Sequence, residues 1–117
     1  MSQQGIDLVG VKDSKVCKNV VFDIHHSSGM GIVVKAGSNN VEIAQNEVYT
    51  CGNAAIACGQ VSDEIWIWPD GLKNRYEAKN IKISENNIHD NEKCSIMVMG
   101  AIDCHIFNNS FGGTGIR

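Results

Sequence analysis

A four-residue pattern recurs along this chain at a spacing that few folds can satisfy. Asn19-Val20-Val21-Phe22, Asn40-Val41-Glu42-Ile43, Asn80-Ile81-Lys82-Ile83 and Asp103-Cys104-His105-Ile106 each read Asn or Asp, apolar, any, apolar. Alternation with period 2 marks a strand with one buried face. In the last three copies an Asn follows five residues after the first apolar position and an apolar residue after seven: Asn46 and Val48, Asn86 and Ile88, Asn109 and Phe111. A second strand recurs eight residues on, from Ile24 to Ile32, Val48 to Ile56 and Ile88 to Ile96. The period is 24 residues between Ile32 and Ile56 and 23 between Ile81 and Cys104, whereas Val41 to Ile81 spans 40, an insertion of about 16.

Short strands repeating at this period cannot each bury an apolar face alone, and stacking successive coils is what gives them a common core. The expected fold is an all-β parallel β-helix, a solenoid of about four to five coils forming a single domain over residues 1–117. Equivalent residues of adjacent coils then stand about 4.8 Å apart, close enough for Asn46, Asn86 and Asn109 to bond as an amide ladder. On this alignment the first coil is short and lacks its rung, and Leu8, 24 before Ile32, belongs to a partial leading coil. The insertion, about 60–79, reads as a projecting β-hairpin. Ile65-Trp66-Ile67-Trp68 alternates, Pro69-Asp70-Gly71 turns, and Leu72 to Tyr76 returns.

These coils resemble the right-handed parallel β-helix proteins of the pectate-lyase-like superfamily. The likeness rests on the apolar-x-apolar-x-x-Asn-x-apolar coils over residues 16–111 and on the stretches Ile24 to Ile32 and Asn46 to Tyr49. It implies a right-handed helix and a polysaccharide substrate. In the lyases of that superfamily a Lys or Arg abstracts a proton while calcium neutralises a uronate carboxylate. Calcium is implied by the resemblance alone. The Asp residues here form no clustered motif, Arg occurs only at 75 and 117, and no Gly-His-Gly pattern is present. The residue pattern itself names no cofactor and no metal ligands.

Composition excludes some classes. A net charge of -3 with scattered Lys and Arg gives no basic stripe for nucleic acid. No apolar run approaches the length that spans a bilayer, and MSQQGIDLVG is no export leader, so the expectation is a cytoplasmic chain without a membrane partner; a chain lacking its leader would read the same. Five cysteines without a Cys-x-x-Cys spacing fit free thiols.

Stacking turns outward positions into columns. Val21, Glu42, Lys82 and His105 form one, His25, Tyr49 and His89 another, with His26, Thr50 and Asp90 one residue on. Val9, Val33, Ala57 and Met97 make an outward apolar ridge. Lys35, beside the insertion, and Lys82 are the only bases to name for catalysis; the plainer reading of each is a surface lysine. Trp66, Trp68, His25, Tyr49, His89 and Asp90 are the substrate-binding candidates, because aromatic faces stack on sugar rings and polar tips bond hydroxyls. The same tryptophans serve as well to cover the helix or a subunit contact.

Two functions follow from these residues. One is a carbohydrate-associated β-helix that binds or processes a polysaccharide, lyase-like if it is an enzyme. The other is a non-catalytic structural or interaction protein, a homo-oligomer assembled through the apolar column and the hairpin, since the ends of such a stack expose strand edges.

Overall fold

The computed structural model describes residues 4–112. The chain runs as β1 (Gln4–Val9), β2 (Lys12–Cys17), β3 (Val20–Ile24), β4 (Met30–Lys35), β5 (Ser38–Ala44), β6 (Glu47–Cys51) and β7 (Ala54–Cys58). After a 3-10 turn (Glu64–Trp66) and α1 (Pro69–Asn74) it resumes as β8 (Ala78–Ser84), β9 (Asn87–His89), β10 (Cys94–Val98), β11 (Ala101–Phe107) and β12 (Ser110–Gly112). Every strand pairs in parallel with the strand three places on, giving three four-stranded sheets ordered β1-β4-β7-β10, β2-β5-β8-β11 and β3-β6-β9-β12. The fold is all-β, with the chain following a solenoid-like path through three parallel sheets.

Register sets the core. Ile32, Ile56 and Ile96 stack from the first sheet, Val41 and Ile81 from the second, and Val21, Val48 and Ile88 from the third, all converging on one interior. Each fully buried Ile or Val contributes about 1.5–3 kcal/mol relative to exposure. The bends recur as regularly as the strands. Asp13, Asn40, Asn80 and Asp103 hold left-handed backbone at equivalent points of the second sheet (φ 51, 58, 54 and 56°), which explains the Asn or Asp that opens the last three repeats. Short polar side chains tolerate that conformation best after glycine. Between the first and second sheets the bend falls on Gly10, Gly37, Gly59 and Gly100, all at positive φ. At Gly59 (φ 90°) a Cβ would overlap the Met99 carbonyl, so the close stacking of two coils needs glycine there.

The structure corrects the expected alignment of the first coil. Asn19 stands in register with Asn46, not Asn40: Val20 to Phe22 pair with Glu47 to Tyr49 in the third sheet, and Ser14 and Val16 pair with Val41 and Ile43. Ile6, not Leu8, lies against Ile32, a spacing of 26. Three strands therefore complete the leading coil, and the amide ladder has a fourth rung. The Asn19 side chain and backbone N–H both donate to Asn46 Oδ1 at 3.0 Å. Asn46 donates in the same way to Asn86 Oδ1, and Asn86 to Asn109 Oδ1, at 2.9–3.0 Å. The second amide hydrogens of Asn46 and Asn86 go to the carbonyls of Val16 and Ile43. Both amides thus satisfy their full donor and acceptor capacity inside the core.

The insertion is not a hairpin. Asp63 accepts from Ile65 N at 3.2 Å and closes the 3-10 turn, and Pro69, with φ fixed and no N–H to lose, starts α1 instead of turning a strand. Arg75 in left-handed conformation ends the helix. Trp68 ties this segment down: its indole N–H donates to the Gly10 carbonyl, its backbone N–H donates to Ala36 O at 3.0 Å, and Lys12 Nζ lies 4.7 Å above its ring. The segment folds back along the bend between the first and second sheets, where Glu77 accepts from Ser62 Oγ and from Ala36 N.

Candidate functional site

On the outer face of the third sheet, parallel register places Phe22, Tyr49 and His89 in one column. Their rings stack almost flat, Phe22 on Tyr49 at 5.2 Å and 7°, Tyr49 on His89 at 4.7 Å and 9°. His89 also bridges two carboxylates, Nδ1 to Asp90 at 2.7 Å and Nε2 to Glu47 at 2.9 Å. Hydrogen bonds to Asp90 first, and then to Glu47, raise its pKa above the ordinary imidazole value, because both favour the charged ring. A ring bonded at both nitrogens to carboxylates has no free nitrogen for general-base work. Both faces of Tyr49 are used within the column, so neither is open to a sugar. The sheet thus holds Tyr49, His89 and Asp90 together, as the sequence places them, but Phe22 fills the position expected for His25. His25 lies beyond the strand, exposed and 3.6 Å from Asp23.

A different concavity lies beside the outer face of the first sheet. Val9 and Lys35 form one wall and Val61, Ser62, Asp63 and Trp66 the other, around a cleft of about 470 Å3. Two contacts fix Lys35 here, an ion pair with Asp7 at 3.3 Å and donation to Gln60 Oε1 at 3.1 Å. Trp66 is 64% exposed, with no requirement of the core holding it there. An exposed indole and carboxylate therefore meet a half-buried ammonium and hydroxyl in one concave surface. Trp68 does not line this cleft and is spent on the bend. A second cleft of about 430 Å3 lies on the far side of the insertion, between Glu64, Leu72, Arg75 and Glu77. Close to it the Asp70 carboxylate accepts from the Tyr76 hydroxyl and from Asn74 Nδ2 (2.8 Å). The Tyr76 bond chiefly lowers Asp70, while burial first and then Asp70 raise Tyr76.

The remaining expected columns are partly redrawn. Lys82 lies between Glu42 and His105 in the second sheet, and the fourth member is Lys15, not Val21. Glu42 forms its ion pair with Lys15, at 3.8 Å. The outward ridge is covered in its middle, while Val9 at one end is exposed. Val33 and Ala57 are wholly buried, packed with Met30, Ala54, Cys94 and Met97 into a second small cluster. Gln60 reaches over to Met30 Sδ at 3.9 Å.

Among the described residues no three His, Cys, Asp or Glu side chains converge as a metal-binding group. Calcium takes six to eight oxygens, so this donor set does not fit the ion that the resemblance implies. Sequence reasoning missed Asp7, Gln60, Glu47 and Phe22. Only Phe22 carried a usable signal, since Asn19 precedes it by the same three residues that separate Asn46 from Tyr49. No helix among the described residues is long and apolar enough to cross a membrane. The fold and clefts together define a class, an all-β protein of stacked parallel sheets carrying a folded insertion along one bend. Comparison with known proteins finds no matching family model, curated protein or solved structure.

Proposed function

We propose that this chain is a right-handed parallel β-helix that binds a polysaccharide in the Trp66 cleft without cleaving it. Right-handedness is favoured because parallel strands of one sheet are joined by right-handed crossovers in nearly all cases. The observation that carries the binding reading is the exposed Trp66 beside Lys35, Ser62 and Asp63 in one cleft. An indole face stacks on the apolar face of a sugar ring, and the polar groups around it suit hydroxyls. The charge balance favours neutral sugars over uronates, because Asp7 offsets Lys35 and Asp63 adds a negative charge. A Lys held by two partners serves as a fixed donor.

A glycan array probed with the wild-type chain and with Trp66→Ala tests this reading, alongside an absorbance assay for unsaturated uronate products. The expected result is retention of neutral oligosaccharides, at least tenfold weaker for Trp66→Ala, with no gain in absorbance. Retention of nothing, or equal retention by the variant, refutes the binding site. A gain in absorbance refutes the non-catalytic reading.

A further inference from the structure

Cys58 and Cys104 come from different sheets and different coils, yet meet inside the molecule. Cys58 ends β7 in the first sheet, fully buried, and Cys104 lies in β11 of the second sheet, in register with Ile81 and only half-buried. Their sulfurs are 3.0 Å apart, well inside the ordinary contact distance of two thiols. Of the other three cysteines, Cys51 and Cys94 are buried and Cys17 is half-buried. Packing alone does not call for two sulfurs here, since neighbouring inward positions carry Ile and Val.

We propose that Cys58 and Cys104 are a redox pair, a modification site that closes to an intramolecular disulfide under a low-molecular-weight disulfide such as oxidised glutathione. The half-buried sulfur reacts first. The Cys104 thiolate attacks one sulfur of the oxidant, the oxidant's S–S bond breaks, and one glutathione leaves as a thiolate. The Cys58 thiol, already in contact, loses its proton and attacks the Cys104 sulfur of the mixed disulfide, and the second glutathione leaves. Two protein thiols are oxidised and one oxidant disulfide is reduced to two thiols, which take up the two protons. The acid-base environment agrees with this order. The contact with Cys58 lowers Cys104, while the same contact and then burial push Cys58 up. Cys51 is pushed up to about 11 by burial and stays an inert thiol.

The closed bond spans 46 positions of sequence and encloses the whole insertion with α1. It joins the first sheet of one coil to the second sheet of the next, a cross-link that backbone pairing within a sheet does not supply.

The test is intact mass and peptide mapping of the folded 117-residue chain after incubation with oxidised glutathione. The expected product is lighter by two hydrogens, carries three free thiols when counted after denaturation, and fragments to a Cys58–Cys104 link. The link persists in Cys17→Ser and Cys94→Ser and is lost in Cys104→Ser. Five thiols after incubation, a stable glutathione adduct without closure, or a link through any other cysteine overturns the proposal. Mapping of the wild-type chain is decisive by itself, so the test stands even where a serine variant fails to fold.

Discussion

Asn86 is the position where the ladder can be tested most directly, because it is 1% exposed and lies between rungs on either side. In Asn86→Ala the Asn46 backbone N–H and one Asn46 amide hydrogen lose their acceptor, and the Ile43 carbonyl loses its donor. Asn109 Oδ1 keeps the Asn86 backbone N–H. Three orphaned groups at about 1 kcal/mol each, the low end for buried unsatisfied atoms, give a loss of about 3 kcal/mol. That is a large share of the roughly 5–15 kcal/mol typical of a domain. Asn109→Ala removes a rung in the last coil, where the group is only half-buried and water can replace the missing atoms. Its cost is expected near 1 kcal/mol. Urea unfolding followed by circular dichroism reads both as shifts in midpoint at constant slope. The Asn46→Ala, Asn86→Ala double variant should lose less than the sum of the singles, since the two share bonds. An Asn86→Ala loss below about 0.5 kcal/mol, or one equal to that of Asn109→Ala, would show that the rungs do not carry the stacking.

Two further predictions concern the side chains nearest the clefts and columns. His89 has a folded pKa above that of the unfolded imidazole, about 6.5, so its carboxylate contacts stabilise fully below that pH and fade as pH rises through the folded value. The urea midpoint gap between wild type and His89→Gln should be widest near pH 5 and should close in alkaline buffer, and Asp90→Asn should lower the His89 titration seen by NMR more than Glu47→Gln does. A gap that does not vary with pH refutes the charged bridge. Trp68→Ala removes the indole bond to Gly10 and the Lys12 contact and should cost about 2 kcal/mol, whereas Trp66→Ala should stay within about 0.5 kcal/mol, both by thermal melting. Equal losses for the two would mean that Trp66 is structural as well.

The repeat was legible because its physical cause is repeated. Inward Ile and Val at fixed spacing, and Asn or Asp at the left-handed bend, recur wherever a coil passes the same point, so Val41, Ile81 and Cys104 align from sequence alone. The first coil misleads because two different asparagine roles look the same in one line of letters. Asn40 and Asn80 sit at a backbone bend, while Asn46 and Asn86 donate side-chain amides into the core. Asn19 is followed by apolar residues in either role, and the deciding residue is Asp13, which takes the bend six positions earlier.

The insertion misleads for a different reason. Four residues of alternation from Ile65 to Trp68 satisfy a strand pattern, but no strand among the described residues pairs with them, and Asp63 and Pro69 supply local turn and helix starts on either side. The two tryptophans then part company. Trp68 reaches a glycine bend it could not be seen to face, and Trp66 is left over the Lys35 wall of the cleft. Lys35 itself was visible as a lysine beside the insertion, but Asp7 and Gln60, 28 positions before and 25 after it, meet it only once the coils stack. In a stack of coils the partners of a surface residue sit a whole coil away. Its pairing and reach therefore depend on the register, and an error of two residues in the first coil is enough to hide them.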